Sequence, residues 1–288
     1  MHRWTFVPGL IALAACATPA APSLESQLRA SVAGFGGDVG IYVRHLRHGT
    51  TVALRADELF PTASLIKVPI LCGLMARLAR GEIDARQPLV YDASRAYDEE
   101  DLSANLKAGT KLELDKLIWL MCSLSDNTAS LWLQELAGTG TAINEWLARN
   151  GFVHTRVNSR TPGREDARSS FGWGQTTPRE MAELLVTIHE RRAVDSAASE
   201  RMLRALARTY WDKEAVAMVP VGVATISKQG AVNRSRSEVL LVHGRHGEYV
   251  LCVITKNQAD QSWGRDNAGY ELLRAVSKLV YDYFEGQR

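Results

Sequence analysis

The sequence predicts an α/β protein, an α+β sandwich. One antiparallel five-stranded sheet, built from both chain ends and flanked by helices, stands beside an all-α lobe. Three observations predict it. Apolar residues follow strand periodicity near the start, in residues 39–43 and 51–54, and again beyond Pro220, in 223–227, 239–242 and 249–254. The long stretch between them carries helical spacing instead. Amphipathic helices lie outside both strand regions, at 24–33 and 267–284, the latter aligning Leu272, Leu273, Val276, Leu279, Val280 and Tyr283.

In chain order, His2 and Arg3 precede an apolar run, residues 4–15, which is too short to span a bilayer but the right size for a signal-peptide core. Residues 1–15 are therefore an address and not part of the fold. The run ends Leu13-Ala14-Ala15-Cys16, which resembles the lipobox of bacterial lipoproteins. Cys16 is then the lipidated first residue, and residues 16–23, rich in Pro and Ala, tether the domain to a membrane. The alternative takes Ala15-Cys16-Ala17 as a small-residue cleavage site releasing a soluble periplasmic or secreted protein. Either reading takes the protein out of the cytoplasm, and the lipoprotein reading places it in the periplasm on a membrane.

The folded domain is expected over 24–288, with its α/β part at 24–60 and 209–288 and its α lobe at 61–208. The first two strands form a hairpin around Arg47-His48-Gly49. A helix over 64–80 follows, ended by Gly81, with Pro69 early enough to cost little. Residues 114–149 read as successive helices broken at 123–126 and 138–140, whereas 157–175 lack periodicity and read as a long surface loop. Helices resume at 178–191 and 198–208, and a turn at 244–247 joins the last two strands.

With 288 residues, 46% of them hydrophobic, the chain can bury the core of one large domain or two intertwined lobes. A formal charge of +2 without a basic block gives no electrostatic case for nucleic acid. His45, His48, His154, His189, His243 and His246 show no ligand spacing, and the glycines form no phosphate loop, so neither metal nor cofactor is expected. The chain is read as a monomer.

Three short stretches carry the chemistry: Ser64-Leu65-Ile66-Lys67, Ser125-Asp126-Asn127 and Lys228-Gln229-Gly230. A serine hydroxyl is a poor nucleophile until a base takes its proton, and a Lys three residues on along a helix lies on the same face. The motifs, in this order, together with Thr176-Thr177-Pro178, make the chain similar to class A β-lactamases and their penicillin-binding-protein-like relatives from about Leu24 onwards. The resemblance implies Ser64 as nucleophile, Lys67 as its base, Ser125 as proton carrier to the leaving nitrogen, and Asn127 as a donor to the substrate amide and a partner of Lys67. It implies for Lys228 either a cation that lowers the pKa of Lys67 or a grip on the substrate carboxylate. Backbone N–H groups of Ser64 and Ala231 would form the oxyanion hole. Gln229 departs from the commoner Thr or Ser and is expected to shift substrate preference by donating from a longer amide. Arg236 falls where many relatives hold a substrate carboxylate, with Arg234 as the adjacent candidate; otherwise both are solvated hairpin charges.

Hydrolysis of the acyl-enzyme needs a second base, which class A β-lactamases supply from a loop Glu. Counted back from Thr176-Thr177-Pro178, that position is Thr161, which has no carboxylate. Loss of a general base typically costs about 10²–10⁴ in rate, roughly 3–5 kcal/mol of barrier. Glu165 or Asp166, if turned inward, is the alternative base; otherwise they are solvated charges beside Arg164 and Arg168. The expected function is a β-lactamase-like serine hydrolase acylated by β-lactams and slow to deacylate. The alternatives are a lipid-anchored D,D-peptidase or transpeptidase acting on D-alanyl peptides, and a penicillin-binding sensor without turnover. Cys72, Cys122 and Cys252 remain if Cys16 carries lipid; they read as three buried thiols, or Cys72 and Cys122 as a bridge between two helices.

Overall fold

The computed structural model describes Met1 and residues 22–286; the signal-peptide and Cys16 expectations fall outside the described residues. Helix α1 (Leu24–Val32), capped by the Ser23 hydroxyl, leads into strands β1 (Asp38–His45) and β2 (Thr51–Leu54). Strand β3 (Phe60–Pro61) precedes a 3₁₀ turn, Ala63–Ile66, and helix α2 (Lys67–Ala79). Short strands β4 (Leu89–Val90) and β5 (Lys111–Leu112) then bracket an irregular excursion. Helices α3 (Leu114–Ser123), α4 (Asn127–Leu136) and α5 (Thr139–Arg149) make up the rest of the α lobe's first half. After β6 (Arg156–Val157) come α6 (Glu165–Phe171) and β7 (Gly174–Thr176), then α7 (Pro178–His189) and α8 (Ser196–Leu206). The chain returns to the sheet through β8 (Thr225–Val232), β9 (Ser235–Gly244) and β10 (Gly247–Lys256), and finishes with α9 (Ala268–Glu285).

The main sheet has five strands in the order β2-β1-β10-β9-β8, antiparallel throughout. One face buries Ile41, Val43, Leu240 and Leu251 against Leu24 and Leu28 of α1 and Leu273 and Val276 of α9. The other buries Tyr42, Val239, Val250 and Ile254 in the same core as α2 and α7. Because both faces are covered, β10 is buried almost without interruption and reads as a continuous apolar run instead of clean alternation. Helix α2 is buried from Lys67 through Ala76, as expected of a helix that is apolar all round at the centre of a lobe.

Two local expectations are corrected. Ser64 does not sit in the α-helix itself but in the 3₁₀ turn that leads into it, with Lys67 as the first α-helical residue. The loop expected over 157–175 contains α6 and β7; β7 pairs with both β3 and β6 and so anchors this segment beside the 3₁₀ turn. A seven-residue helix with no buried residue leaves no apolar periodicity to detect. Cys72, Cys122 and Cys252 are all free and buried, so the bridge between the first two does not form. Among the described residues no helix is long and apolar enough to cross a membrane.

Candidate active site

Ser64, Lys67, Ser125, Asn127 and Lys228 converge from three separate parts of the fold. Nζ of Lys67 lies 3.1 Å from Oγ of Ser64, 3.0 Å from Oγ of Ser125 and 2.8 Å from Oδ1 of Asn127, and it also donates to the Ser125 carbonyl. Nζ of Lys228 donates to Oγ of Ser125 at 3.1 Å and to the Gln229 carbonyl at 2.7 Å. The Ser125 hydroxyl thus stands between two lysines, in contact with both. Ser64 itself is half-buried and lines a cavity of about 720 Å³, with Asn127, Ala231, Tyr97 and Trp173 among the other walls.

Four nearby features hold this geometry. The sharp turn before the nucleophile puts Ala63 at φ 45°, and Ser125 sits at φ 62°; strain of about 1–3 kcal/mol at each is offset by the packed elements on either side. Gly230 admits no side chain, because a Cβ there would lie 2.9 Å from both the Ser64 nitrogen and the Thr62 carbonyl. Helix α4 is fixed at its start by two buried carboxylates. Asp126 caps the Ala129 N–H at 2.7 Å, and Asp101 accepts from the N–H groups of Asn127 (2.8 Å) and Thr128 (2.7 Å).

The surroundings lower the pKa of both lysines. Lys67 is buried, and burial, followed by the adjacent Lys228 cation, drives its pKa well below the usual lysine value. Burial likewise lowers Lys228, to about 8. Cys122, in the last turn of α3, feels both lysines but stays a thiol, burial pushing it up to about 12.

Three sequence-predicted site residues lie off the cavity wall. Strand register pairs Ala231 with Arg236, Gln229 with Glu238 and Gly230 with Ser237, so Gln229 and Arg236 share the face opposite Lys228 and Gly230. Arg236 is fully buried there, its guanidinium donating to the carbonyls of Val232, Ser235 (3.0 Å) and Ser262 (2.5 Å) and lying 4.5 and 4.6 Å from the Trp263 and Tyr270 ring centres. It is neither a solvated charge nor within the cavity, whereas exposed Arg234 does line the cavity. Gln229 is buried and is not among the cavity walls.

Thr161 is the third. Its hydroxyl donates to the Ser159 carbonyl at 2.9 Å and packs against Gly140, where a Cβ would come within 1.7 Å of it. It opens on a separate small concavity shared with Asn158, Glu165 and Arg168. Glu165 and Asp166 are exposed on the first turn of α6, Glu165 accepting from the Gly163 N–H, and Arg164 turns away to Asn158 and Gln175. The loop therefore brings none of Thr161, Glu165 and Asp166 to Ser64; it presents Ser170 through Trp173 instead.

Sequence reasoning missed Asp101, Tyr97 and Trp173. Asp101 ends an acidic run, Asp98-Glu99-Glu100-Asp101, that reads as solvated, and only the fold shows that one of the four is buried against α4. Tyr97 and Trp173 meet edge to face at 4.9 Å across the cavity mouth, a contact between distant segments with no local signature.

This fold, with a serine held between lysines from two lobes, defines a β-lactamase-like serine hydrolase. The chain belongs to the beta-lactamase enzyme family, whose sequence profile matches residues 23–284. Among solved structures it is similar to PBP-A, at 24% identity and a TM-score of 0.81, over 92% of this chain and 96% of that one. A PBP-A mutant solved as an acyl-enzyme with penicillin G is similar at 24% identity and TM-score 0.80, over 92% and 97%. A β-lactamase from Sphaerobacter thermophilus matches at 24% identity and TM-score 0.80, over 91% and 98%.

Proposed function

We propose that β-lactams acylate Ser64 and that the acyl-enzyme is hydrolysed slowly. The carrying observation is the 3.1 Å separation of Ser64 Oγ from a lysine nitrogen whose pKa is depressed. Neutral Lys67 takes the Ser64 proton as Oγ attacks the lactam carbonyl, and the resulting oxyanion faces the N–H groups of Ser64 and Ala231. The C–N bond then breaks, and the proton on Lys67 passes through the Ser125 hydroxyl to the departing nitrogen, which restores the neutral amine. Lys228, as a cation, and Arg234, on the cavity wall, draw the substrate carboxylate. The penicillin G acyl-enzyme of the PBP-A mutant supports the same reaction here.

Slow hydrolysis follows from where the acids stand. Water attacking the ester must lose a proton, and neither Glu165 nor Asp166 faces the cavity. The same observation favours a second reading, action on D-alanyl peptides, because a peptide's leaving amine departs and makes room for water while a ring-opened lactam keeps its amine tethered. Intact-mass spectrometry over time with benzylpenicillin tests the first reading: one adduct that decays slowly is expected, and no adduct on wild type removes Ser64 from its role. Release of D-alanine from a D-alanyl-D-alanine peptide tests the second. Residues 24–288 act as the catalytic domain, held on a periplasmic membrane surface by lipidated Cys16. Metabolic fatty-acid labelling that survives Cys16→Ser refutes the anchor.

A further inference from the structure

At the far end of the sheet from Ser64, two histidines and a glutamate converge from three elements. His243 and Glu248 are direct cross-strand partners at the β9–β10 hairpin, and His189 is the last residue of α7. Glu248 spans both rings, Oε2 lying 2.9 Å from His189 Nε2 and Oε1 2.6 Å from His243 Nδ1. The ring centres are 5.5 Å apart, inclined at 64°. All three donor atoms lie within 4.8 Å of one another. Linear spacing hid the cluster, because these residues are neighbours only through the fold.

We propose that His189, His243 and Glu248 bind a divalent transition ion of the zinc class and thereby clip the end of α7 to the hairpin. Two imidazole nitrogens and one carboxylate oxygen are a donor set such ions prefer over calcium or magnesium, which take oxygen ligands. Bond lengths near 2.0–2.1 Å call for donor atoms about 3.3 Å apart in a tetrahedral site, so the widest pair closes by roughly 1.5 Å through side-chain rotation alone. The side chains are 18%, 33% and 38% exposed, which leaves an entry path and a fourth position for water. The carbonyl end of α7 adds partial negative charge beside Glu248. Helix α7 is 12 residues, about 18 Å, long and begins just beyond β7, so the ion is remote from Ser64 and acts on stability, not chemistry.

The test is titration of the full chain with zinc chloride at pH 7.5, by calorimetry and thermal melting, beside His189→Gln, His243→Gln and Glu248→Gln. Wild type is expected to bind one equivalent with a Kd below about 10 µM, and to gain about 5 °C in Tm at a hundredfold excess of free zinc over Kd. Each variant is expected to lose affinity at least tenfold while reacting with benzylpenicillin at the wild-type rate, and magnesium is expected to shift nothing. Cobalt(II) bound to wild type should show the visible absorption of a low-coordinate N₂O site, a readout that needs no variant to fold. Zinc binding weaker than about 100 µM, or affinity retained in the His189→Gln/His243→Gln double variant, overturns the proposal.

Discussion

Lys67 and Lys228 share one acceptor: the Ser125 hydroxyl lies 3.0 Å from the first nitrogen and 3.1 Å from the second. Two buried cations this close disfavour each other, and that repulsion adds to burial in lowering the Lys67 pKa. The lysine from the sheet thus tunes the lysine from the helix, and the serine between them is the natural wire for a proton.

A pH profile follows. Lys67 works as a base above its depressed pKa, so acylation is expected to hold its plateau well below the ordinary lysine range and to fall only on the acid side of that pKa. Lys228 loses its charge near pH 8, and with it the pull on a substrate carboxylate, so an alkaline limb is expected near that value. Lys228→Met removes the neighbouring cation, raises the Lys67 pKa and moves the acid limb to higher pH, with acylation at pH 7 down about 10²-fold. Stopped-flow acylation rates from pH 5 to 10 check both limbs. An acid limb that stays put in Lys228→Met refutes the coupling.

Arg236 and Arg234 should separate stability from binding. Arg236→Met removes donors to three carbonyls and a cation between two rings, at an expected cost of about 2–4 kcal/mol. Arg234→Ala removes an exposed cation from the cavity wall and is expected to raise the concentration needed for half-maximal acylation several-fold with Tm nearly unchanged. Paired melting and acylation measurements decide it; a normal Tm in Arg236→Met contradicts the structural role.

Thr161→Glu is expected to leave the lifetime of the penicilloyl-enzyme unchanged, since position 161 faces Gly140 and not Ser64. It should still lower stability by about 1–3 kcal/mol, because a longer, charged side chain replaces a threonine that is 8% exposed. Gly140→Ala should destabilise by a similar amount, its methyl group meeting the same hydroxyl. Faster deacylation in Thr161→Glu, read by intact mass against time, means the loop carries its base at 161 after all.

The nucleophile, its lysine and the second and third motifs were legible in the sequence because each is a short run whose chemistry depends on neighbours in the chain. Strands and long helices were legible for the same reason. Arg236 was not legible as a buried residue because a side chain's face depends on strand register, and a shift of one residue exchanges the faces. The surroundings of Thr161 were not legible because the count back from Thr176 crosses α6, a helix too short and exposed to announce itself. Asp101 was invisible because burial of one acid among four is decided by α4, which begins 26 residues further on.

Asp101 supplies the last expectation. Its two carboxylate oxygens receive the first N–H groups of α4 from Asn127 and Thr128, and also the Thr128 hydroxyl at 2.8 Å. Burial raises its pKa above the usual aspartate value, opposed by those same hydrogen bonds. Asp101→Asn keeps the shape but turns an NH₂ group toward an N–H donor, so one helix-start donor is left unpaired at a cost of about 1–3 kcal/mol. The damage should reach the chemistry, because Asn127 holds Lys67 through a 2.8 Å hydrogen bond to its Oδ1. A fall of about tenfold in the acylation rate constant is expected, with half-saturation little changed, as when a catalytic group is slightly misplaced. Stopped-flow acylation with a chromogenic cephalosporin separates the two constants. An unchanged rate constant together with a lowered Tm assigns Asp101 to the stability of α4 alone.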